Sequence, residues 1–128
     1  MNKLTKRLAA IGAAMTMAVS MMSMGASAYN ISETGVGAFE WYTTSAKITN
    51  TSTSSCYMES HINVYKDKTG EFVTSISKNA TGGYNTYAKA VNSSYSSSNY
   101  NFEIWGTIYN SSSPMSGVKW STGYKYLN

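Results

Sequence analysis

The chain has little of several residue types that small proteins use for stability or chemistry. Its 128 residues include one Cys, one Pro and one His, and only 12% of them are charged. A single cysteine cannot form a disulfide within the chain, so the fold must rest on its hydrophobic core. One His, one Cys and six dispersed acids also provide no cluster of ligands at metal-binding spacing. We therefore predict no metal site and no cofactor.

The N-terminus has the features of an export signal. The sequence opens with MNKLTKR, which carries three positive charges and no acid, and an uncharged run rich in Ala and Met follows. Ala26 and Ala28 are small residues at the positions that signal peptidase recognises, which predicts cleavage before Tyr29. The apolar run approaches membrane-spanning length, but the cleavage signal and the polar sequence after it favour secretion. We expect a signal peptide over 1–28 and a single secreted domain over 29–128.

The charge of the exported part is close to neutral. Lys3, Lys6 and Arg7 account for three of the ten basic residues, which leaves seven Lys against six acids. A surface that binds nucleic acid clusters its Lys and Arg on one face, whereas these lysines are scattered. We therefore exclude nucleic acid as a partner. We expect no membrane anchor after signal removal, and the Lys-rich start is typical of a protein released by a bacterium.

A phrase of the sequence occurs twice. SAKITNTSTSS at 45–55 returns as YAKAVNSSYSS at 87–97, with Ala, Lys, Asn and three Ser in matching places. Each copy leads into a segment in which two sets of residues alternate, a pattern typical of half-buried strands. We interpret the two copies as related strand-loop-strand units, with one unit on each side of a sandwich as one arrangement. The alternative is that sequence rich in Ser, Thr and Asn resembles itself by composition.

The alternation assigns the residues of the two segments to opposite faces. In the first segment one face holds Met58, Ser60, Ile62 and Val64, and the other holds Glu59, His61, Asn63 and Tyr65. In the second segment one face holds Phe102, Ile104, Gly106 and Ile108, and the other holds Glu103, Trp105, Thr107 and Tyr109.

The rest of the chain also predicts strands. Aromatic and β-branched residues crowd 39–49, and turn residues lie at 67–70, 79–83 and 110–114. No window after the signal sustains helical periodicity. Short strands with turn signals at this spacing predict an all-β fold, a small antiparallel β-sandwich or barrel of six to eight strands.

Catalytic groups are scarce. His61 is the only histidine, and its place on the polar side of a strand indicates a solvated surface residue. Glu59 and Glu103 are equivalent in the two alternating segments and could form a pair of catalytic carboxylates, although outward glutamates on two exposed strands are the simpler interpretation. A hydrolase that uses these residues stays an alternative. We predict that the protein is not an enzyme.

Aromatic residues are abundant, with eleven Tyr, three Trp and three Phe. Tyr and Trp have a flat apolar body with a polar edge, which suits contact with sugar rings or burial in a protein interface. If the two alternating strands are neighbours, their polar face displays His61, Tyr65, Trp105 and Tyr109 together. These four residues are the candidate ligand-binding patch. The alternative is that the aromatic residues fill the core or cover a sheet.

Together these features predict a secreted binding protein that recognises carbohydrate, a cell wall or a cell surface, with a cell-wall glycan or a surface protein as its partner. The chain is short, export-tagged and rich in Tyr, Ser and Gly, and in this outline it resembles secreted β-sandwich bacteriocins. That resemblance implies, as an alternative, a small antimicrobial or toxin-like protein, and it carries over no residue. Edge strands and Cys56 leave both monomer and dimer open.

Overall fold

The computed structural model describes residues 28–42 and 44–127. The strands in these ranges are β1 (Ala28–Glu33), β2 (Gly37–Tyr42), β3 (Ser45–Asn50), β4 (Cys56–Lys66), β5 (Phe72–Gly82), β6 (Tyr87–Val91), β7 (Tyr100–Tyr109), β8 (Val118–Ser121) and β9 (Lys125–Leu127). A short 3-10 turn, Pro114–Ser116, precedes β8. None of the helices in the described ranges has the length and hydrophobicity to span a membrane. The predicted cleavage before Tyr29 falls at the start of β1, and Ala26 lies outside the described residues.

The strands form two antiparallel sheets. The first sheet has the order β1-β2-β3-β6, and the second has the order β5-β4-β7-β8, with β9 also paired to β7. β8 pairs with Thr107–Tyr109 and β9 with Phe102–Ile104, so these two strands share one edge of β7. The nine described strands therefore fill eight positions. The prediction of a small antiparallel β-sandwich is confirmed.

The core lies between the two sheets and draws side chains from both. Burial along β4 alternates without interruption from Cys56 to Tyr65, as the period of two predicts. Cys56 is fully buried at the start of β4 and serves as a small apolar core residue. The largest apolar side chains of the core are Phe39, Trp41, Ile48, Met58, Ile62, Phe102, Ile104 and Ile108.

The sequence predicts the turn before β5 correctly and misplaces the turn after it. At the β4–β5 hairpin the Lys66 N–H donates to the Glu71 carbonyl (2.8 Å), and Gly70 has a φ of 75°, as predicted. The predicted turn over 79–83 is misplaced, because β5 continues through Gly82 and the chain reverses over 83–86. Pairing with β4 extends the strand past its turn-forming residues, since tertiary contacts outweigh local preference.

The repeated phrase occupies equivalent places in the sandwich. The first copy forms β3 and the connection to β4, and the second forms β6 and the connection to β7. β3 pairs antiparallel with β6, and β4 pairs antiparallel with β7. Each unit therefore gives one strand to each sheet, rather than one unit lying on each side of the sandwich. The two units are related by a pseudo-two-fold axis.

The strand registers show where this axis passes through each sheet, which is between two residues that lie opposite each other on neighbouring strands. Lys47 and Lys89 match in the repeated phrase and are partners in the first sheet. His61 and Trp105 match in the alternating segments and are partners in the second sheet. The pair of His61 and Trp105 therefore lies at the centre of the second sheet, where the symmetry axis crosses it.

A recurring asparagine holds the loop in each unit. The Asn50 side-chain amide donates to the Ser54 carbonyl (2.7 Å), and its oxygen accepts the Ser52 N–H (2.9 Å). The Asn92 amide donates to the Tyr95 carbonyl (2.8 Å), and its oxygen accepts the Tyr95 N–H (3.0 Å). Both asparagines are buried, and their side chains are paired with backbone groups of the loops. This shared role explains why Asn recurs in the repeated phrase.

A buried serine connects the two sheets. The Ser60 hydroxyl accepts a hydrogen bond from the Ile48 N–H (3.1 Å) and donates one to the Ala88 carbonyl (2.8 Å). Ile48 and Ala88 are partners in β3 and β6, so one side chain of the second sheet bridges two strands of the first. Because buried polar groups need partners, these bonds fix the position of one sheet on the other.

We expect Ser60→Ala to lower the free energy of unfolding by about 1–3 kcal/mol, because Ile48 and Ala88 each lose a hydrogen-bond partner inside the core. Urea unfolding followed by tryptophan fluorescence measures the change. Ser77→Ala, at an exposed position of β5, is the matched control and should leave the unfolding midpoint unchanged. Equal midpoints for the two variants would contradict the role of Ser60.

Candidate functional site

The outward side chains of β4 and β7 form a surface rich in aromatic residues on the second sheet, which we call the aromatic face. Two tyrosines of the C-terminal segment complete it. Its members are Tyr57, Glu59, His61, Asn63, Tyr65, Glu103, Trp105, Tyr109, Tyr124 and Tyr126. The four residues of the predicted patch all lie on this face and are all partly exposed.

His61 and Trp105 form the centre of the aromatic face. They lie opposite each other, and their rings stack with centroids 4.6 Å apart and planes 14° apart. Tyr124, from the segment between β8 and β9, contacts Trp105 edge-on at 4.8 Å. Because Trp105 contacts two other rings, its orientation is set before any partner binds.

Tyr65 and Tyr109 lie towards opposite ends of the aromatic face. Tyr65 is opposite Asn101 and contacts Phe72 edge-on at 5.7 Å. Tyr109 contacts Tyr57 at 5.3 Å near the other end. The structure therefore brings His61 and Trp105 into contact and separates the two tyrosines of the predicted patch.

Glu59 accepts hydrogen bonds from two tyrosines beside a histidine. The hydroxyls of Tyr57 and Tyr109 each donate to its carboxylate at 3.0 Å, and the His61 Nε2 lies 3.3 Å from it. Burial alone would raise the pKa of Glu59, but these hydrogen bonds favour the charged form and hold that pKa below its usual value. Burial raises the pKa of both phenols, and so do their bonds to Glu59. The phenols therefore stay donors to a charged carboxylate.

Glu103 is the centre of a second cluster of the same kind. Its carboxylate accepts hydrogen bonds from the Asn63 amide (3.0 Å), the Tyr65 hydroxyl (3.2 Å) and the Tyr126 hydroxyl (2.9 Å). The hydrogen bond from Tyr65 to Glu103 and the hydrogen bond from Tyr109 to Glu59 are equivalent under the pseudo-two-fold axis. Two clusters of tyrosine and carboxylate therefore flank the central ring pair.

The structure places the two glutamates considered as a catalytic pair at well-separated backbone positions. Glu59 is opposite Thr107 and Glu103 is opposite Asn63, so four residues of strand, about 13 Å, separate the two positions. The carboxyl groups of glycosidases lie roughly 5–10 Å apart. No group of three or more His, Cys, Asp or Glu side chains that could hold a metal occurs in the described part of the chain.

Sequence reasoning missed three aromatic members of the face. Tyr57 follows from extending the alternation of β4 by one step, because it lies two residues before Glu59. Tyr124 and Tyr126 reach the face only through the pairing of β8 and β9 with β7. The alternative that aromatic residues fill the core holds for Trp41, which is buried, and in part for Trp120, which packs against the core, but not for Trp105.

Comparison of the chain with protein-family models, with curated proteins and with solved structures gives no match. The aromatic face is therefore the feature of the molecule that indicates a function. That face offers flat rings for apolar contact, and it offers carboxylate and phenol oxygens as hydrogen-bond acceptors, with four of the phenols held by their bonds to the carboxylates. Chemically, such a surface can bind a partner that carries both hydroxyl groups and apolar C–H faces.

We expect stability to fall in acid because of Glu59. Its pKa is lower in the folded protein than its usual value of 4.5, so the charged carboxylate stabilises the fold above that value. This stabilisation is lost as the pH falls through the folded pKa. Urea midpoints measured below pH 4.5 should therefore decline less steeply in Glu59→Gln than in the unaltered protein.

Glu40→Gln is the matched control for this titration, because Glu40 is an exposed glutamate on the first sheet. This variant should keep the full decline below pH 4.5. If Glu59→Gln and Glu40→Gln show the same pH profile, the hydrogen-bonded cluster at Glu59 does not contribute to acid sensitivity.

Proposed function

We propose that this protein is a secreted, non-enzymatic recognition protein whose aromatic face binds carbohydrate at a cell wall or cell surface. One observation supports this proposal above the others. Six aromatic side chains lie on the outward side of the second sheet, where the core does not need them: Tyr57, Tyr65, Trp105, Tyr109, Tyr124 and Tyr126. We expect the predicted signal peptide over 1–28 to direct the export of the protein.

Carbohydrate suits this face for a chemical reason. A sugar ring has apolar C–H groups on its faces and hydroxyls around its edge, so it needs aromatic surface beside polar groups. On the aromatic face the carboxylates of Glu59 and Glu103 lie between the tyrosines and Trp105. A sugar bound there could place its C–H groups on the rings and donate its hydroxyls to the carboxylates.

The hydrogen bonds within the face also reduce the cost of binding. A side chain that is free in solution loses rotational freedom when a partner immobilises it, which costs about 0.5–1.5 kcal/mol. The tyrosines bonded to Glu59 and Glu103 have already lost that freedom on folding. The face is therefore pre-organised for a partner.

The dimensions of the face favour an extended partner. Tyr57 and Tyr65 lie eight residues apart on β4, which corresponds to about 26 Å along the strand. Such a length accommodates several sugar rings in a row. A polymer such as a cell-wall glycan or an insoluble polysaccharide therefore fits better than a single small molecule.

We expect the double variant Trp105→Ala, Tyr109→Ala to bind purified cell wall, insoluble polysaccharides or intact bacteria at least about tenfold more weakly than the unaltered protein. The expected loss reflects two aromatic contacts of about 1 kcal/mol each. Binding isotherms from pull-down experiments measure it. Tyr84→Ala removes a tyrosine that is 65% exposed in the turn after β5, and it should bind normally.

Two results would contradict the proposed face. One is equal binding by the double variant and Tyr84→Ala, and the other is a lack of saturable binding to every surface tested. Circular dichroism and urea unfolding of the double variant show whether it is folded. The single variant Tyr109→Ala, whose side chain lies at the end of the face, keeps the test valid if loss of Trp105 disturbs the sheet.

A second candidate function is that of a small antimicrobial or toxin-like protein. The outer side of the first sheet favours it, because exposed Tyr42, Tyr87 and Val91 lie there with Lys47 and Lys89. Apolar side chains beside lysines suit an anionic cell envelope. Inhibition of neighbouring bacteria that is lost in Lys47→Gln, Lys89→Gln, with glycan binding retained, would support this function.

A further inference from the structure

We propose that a cavity at one end of the second sheet is a binding site for a neutral sugar of one or two rings. The cavity has a volume of about 360 Å³ and lies between the β4–β5 turn and the loop that precedes β7. Its lining includes Asp67, Lys68, Thr69, Ser98, Asn99 and Tyr100. It lies beyond the Tyr65 end of the aromatic face, because Lys66 is opposite Tyr100.

The backbone holds the two walls of the cavity together. The Asp67 N–H donates to the Asn99 carbonyl at 2.9 Å, which links the turn to the loop. Within the loop, the N–H groups of Asn99 and Tyr100 both lie 3.1 Å from the Ser96 carbonyl. The Thr69 hydroxyl adds to this by accepting a hydrogen bond from the Glu71 N–H at 3.2 Å. The cavity is therefore formed before a ligand arrives.

The lining offers hydrogen-bond donors and acceptors in a small space. Lys68 donates, the Asp67 carboxylate accepts, and the Asn99 amide and the hydroxyls of Thr69 and Ser98 can do both. Neighbouring hydroxyls of a sugar ring also donate and accept, so they can satisfy this mixture. Most of the exposed lining surface is apolar, so a sugar, which carries C–H faces beside its hydroxyls, matches both parts of the lining.

An aromatic ring completes the lining. Tyr100 contacts Tyr95 edge-on, with centroids 5.0 Å apart and planes 84° apart, and both rings pack against the core. The position of Tyr100, which contributes to the lining, is therefore fixed.

The charges around the cavity favour a neutral ligand. Lys66 also lines it, but its ammonium group lies 3.1 Å from the Glu71 carboxylate, which balances its charge. The other charged groups of the lining, Asp67 and Lys68, have opposite signs. An anionic or a cationic ligand therefore gains little net attraction.

The size of the cavity limits the length of the ligand. Pockets for small molecules typically measure about 300–1,000 Å³, so a cavity of about 360 Å³ lies near the lower limit. One or two rings fit this space and a longer chain does not. The cavity is therefore suited to the end of a glycan or to a free mono- or disaccharide, and its ligand binding does not require the aromatic face.

Titration of the isotopically labelled protein with glucose, galactose, N-acetylglucosamine and lactose, followed by amide chemical shifts, tests the site. We expect saturable shifts at Lys68, Ser98 and Asn99 with at least one of these sugars. Asp67→Asn and, separately, Asn99→Ala should each weaken the binding about tenfold, because the first replaces a charged acceptor with a weaker neutral one and the second removes the side-chain amide. Asp67→Asn keeps the shape of the side chain, so it tests the charge and not the fold.

Two controls separate this site from other surfaces. Lys119→Gln removes an exposed lysine from β8 and should leave the binding unchanged. Amide shifts of the aromatic face are followed in the same spectra, so failure of the aromatic face as a glycan site and failure of the cavity are distinguishable. The proposal is overturned if no neutral sugar shifts the cavity residues, if only glucuronic acid or glucosamine does so, or if Asp67→Asn and Asn99→Ala both bind like the unaltered protein.

Discussion

The hydrogen bonds of the Ser60 hydroxyl are the constraint on which the rest of the sandwich depends. Burial of apolar side chains holds the two sheets together, but this interaction is not directional and does not fix how one sheet lies on the other. The Ser60 hydroxyl fixes the relative position of the sheets, because it forms hydrogen bonds with Ile48 and Ala88 of the opposite sheet. A slip of β4 by one residue would carry Ser60 out of the core and bring His61 into it, at the cost of the whole alternating pattern.

The aromatic face follows from the same register. Because side chains alternate along a strand, the residues on either side of Ser60 must point outward, and these are Glu59 and His61. β7 then brings Trp105 opposite His61 and Tyr109 within hydrogen-bonding distance of Glu59. One side of β4 therefore stabilises the sandwich while the other arranges rings and carboxylates for contact with a partner.

The two units share a backbone arrangement, but their side chains differ at several equivalent positions. Both glutamates recur, and each accepts a tyrosine hydroxyl from the neighbouring strand. At the axis, however, His61 corresponds to Trp105, and the buried Ser60 corresponds to Ile104. The exchange of Ser for Ile means that only one unit connects to the opposite sheet through a side-chain hydroxyl. The exchange of His for Trp produces the stacked pair at the centre of the face.

The amino-acid sequence by itself determined which residues of β4 face inward, and it determined the turn at Gly70, because both depend on local periodicity and backbone preference. In β7 the predicted alternation holds from Phe102 to Gly106, but Thr107, predicted on the polar face, is buried where β8 pairs with β7. The turn predicted over 79–83 was misplaced, because pairing of β5 with β4 outweighs the local preference for a turn. Only the tertiary structure decided that β4 and β7 are neighbours, that Tyr124 and Tyr126 join the aromatic face, and that two distant loops enclose a cavity. Strand order brings these residues together across long stretches of chain, and a local pattern contains no information on strand order.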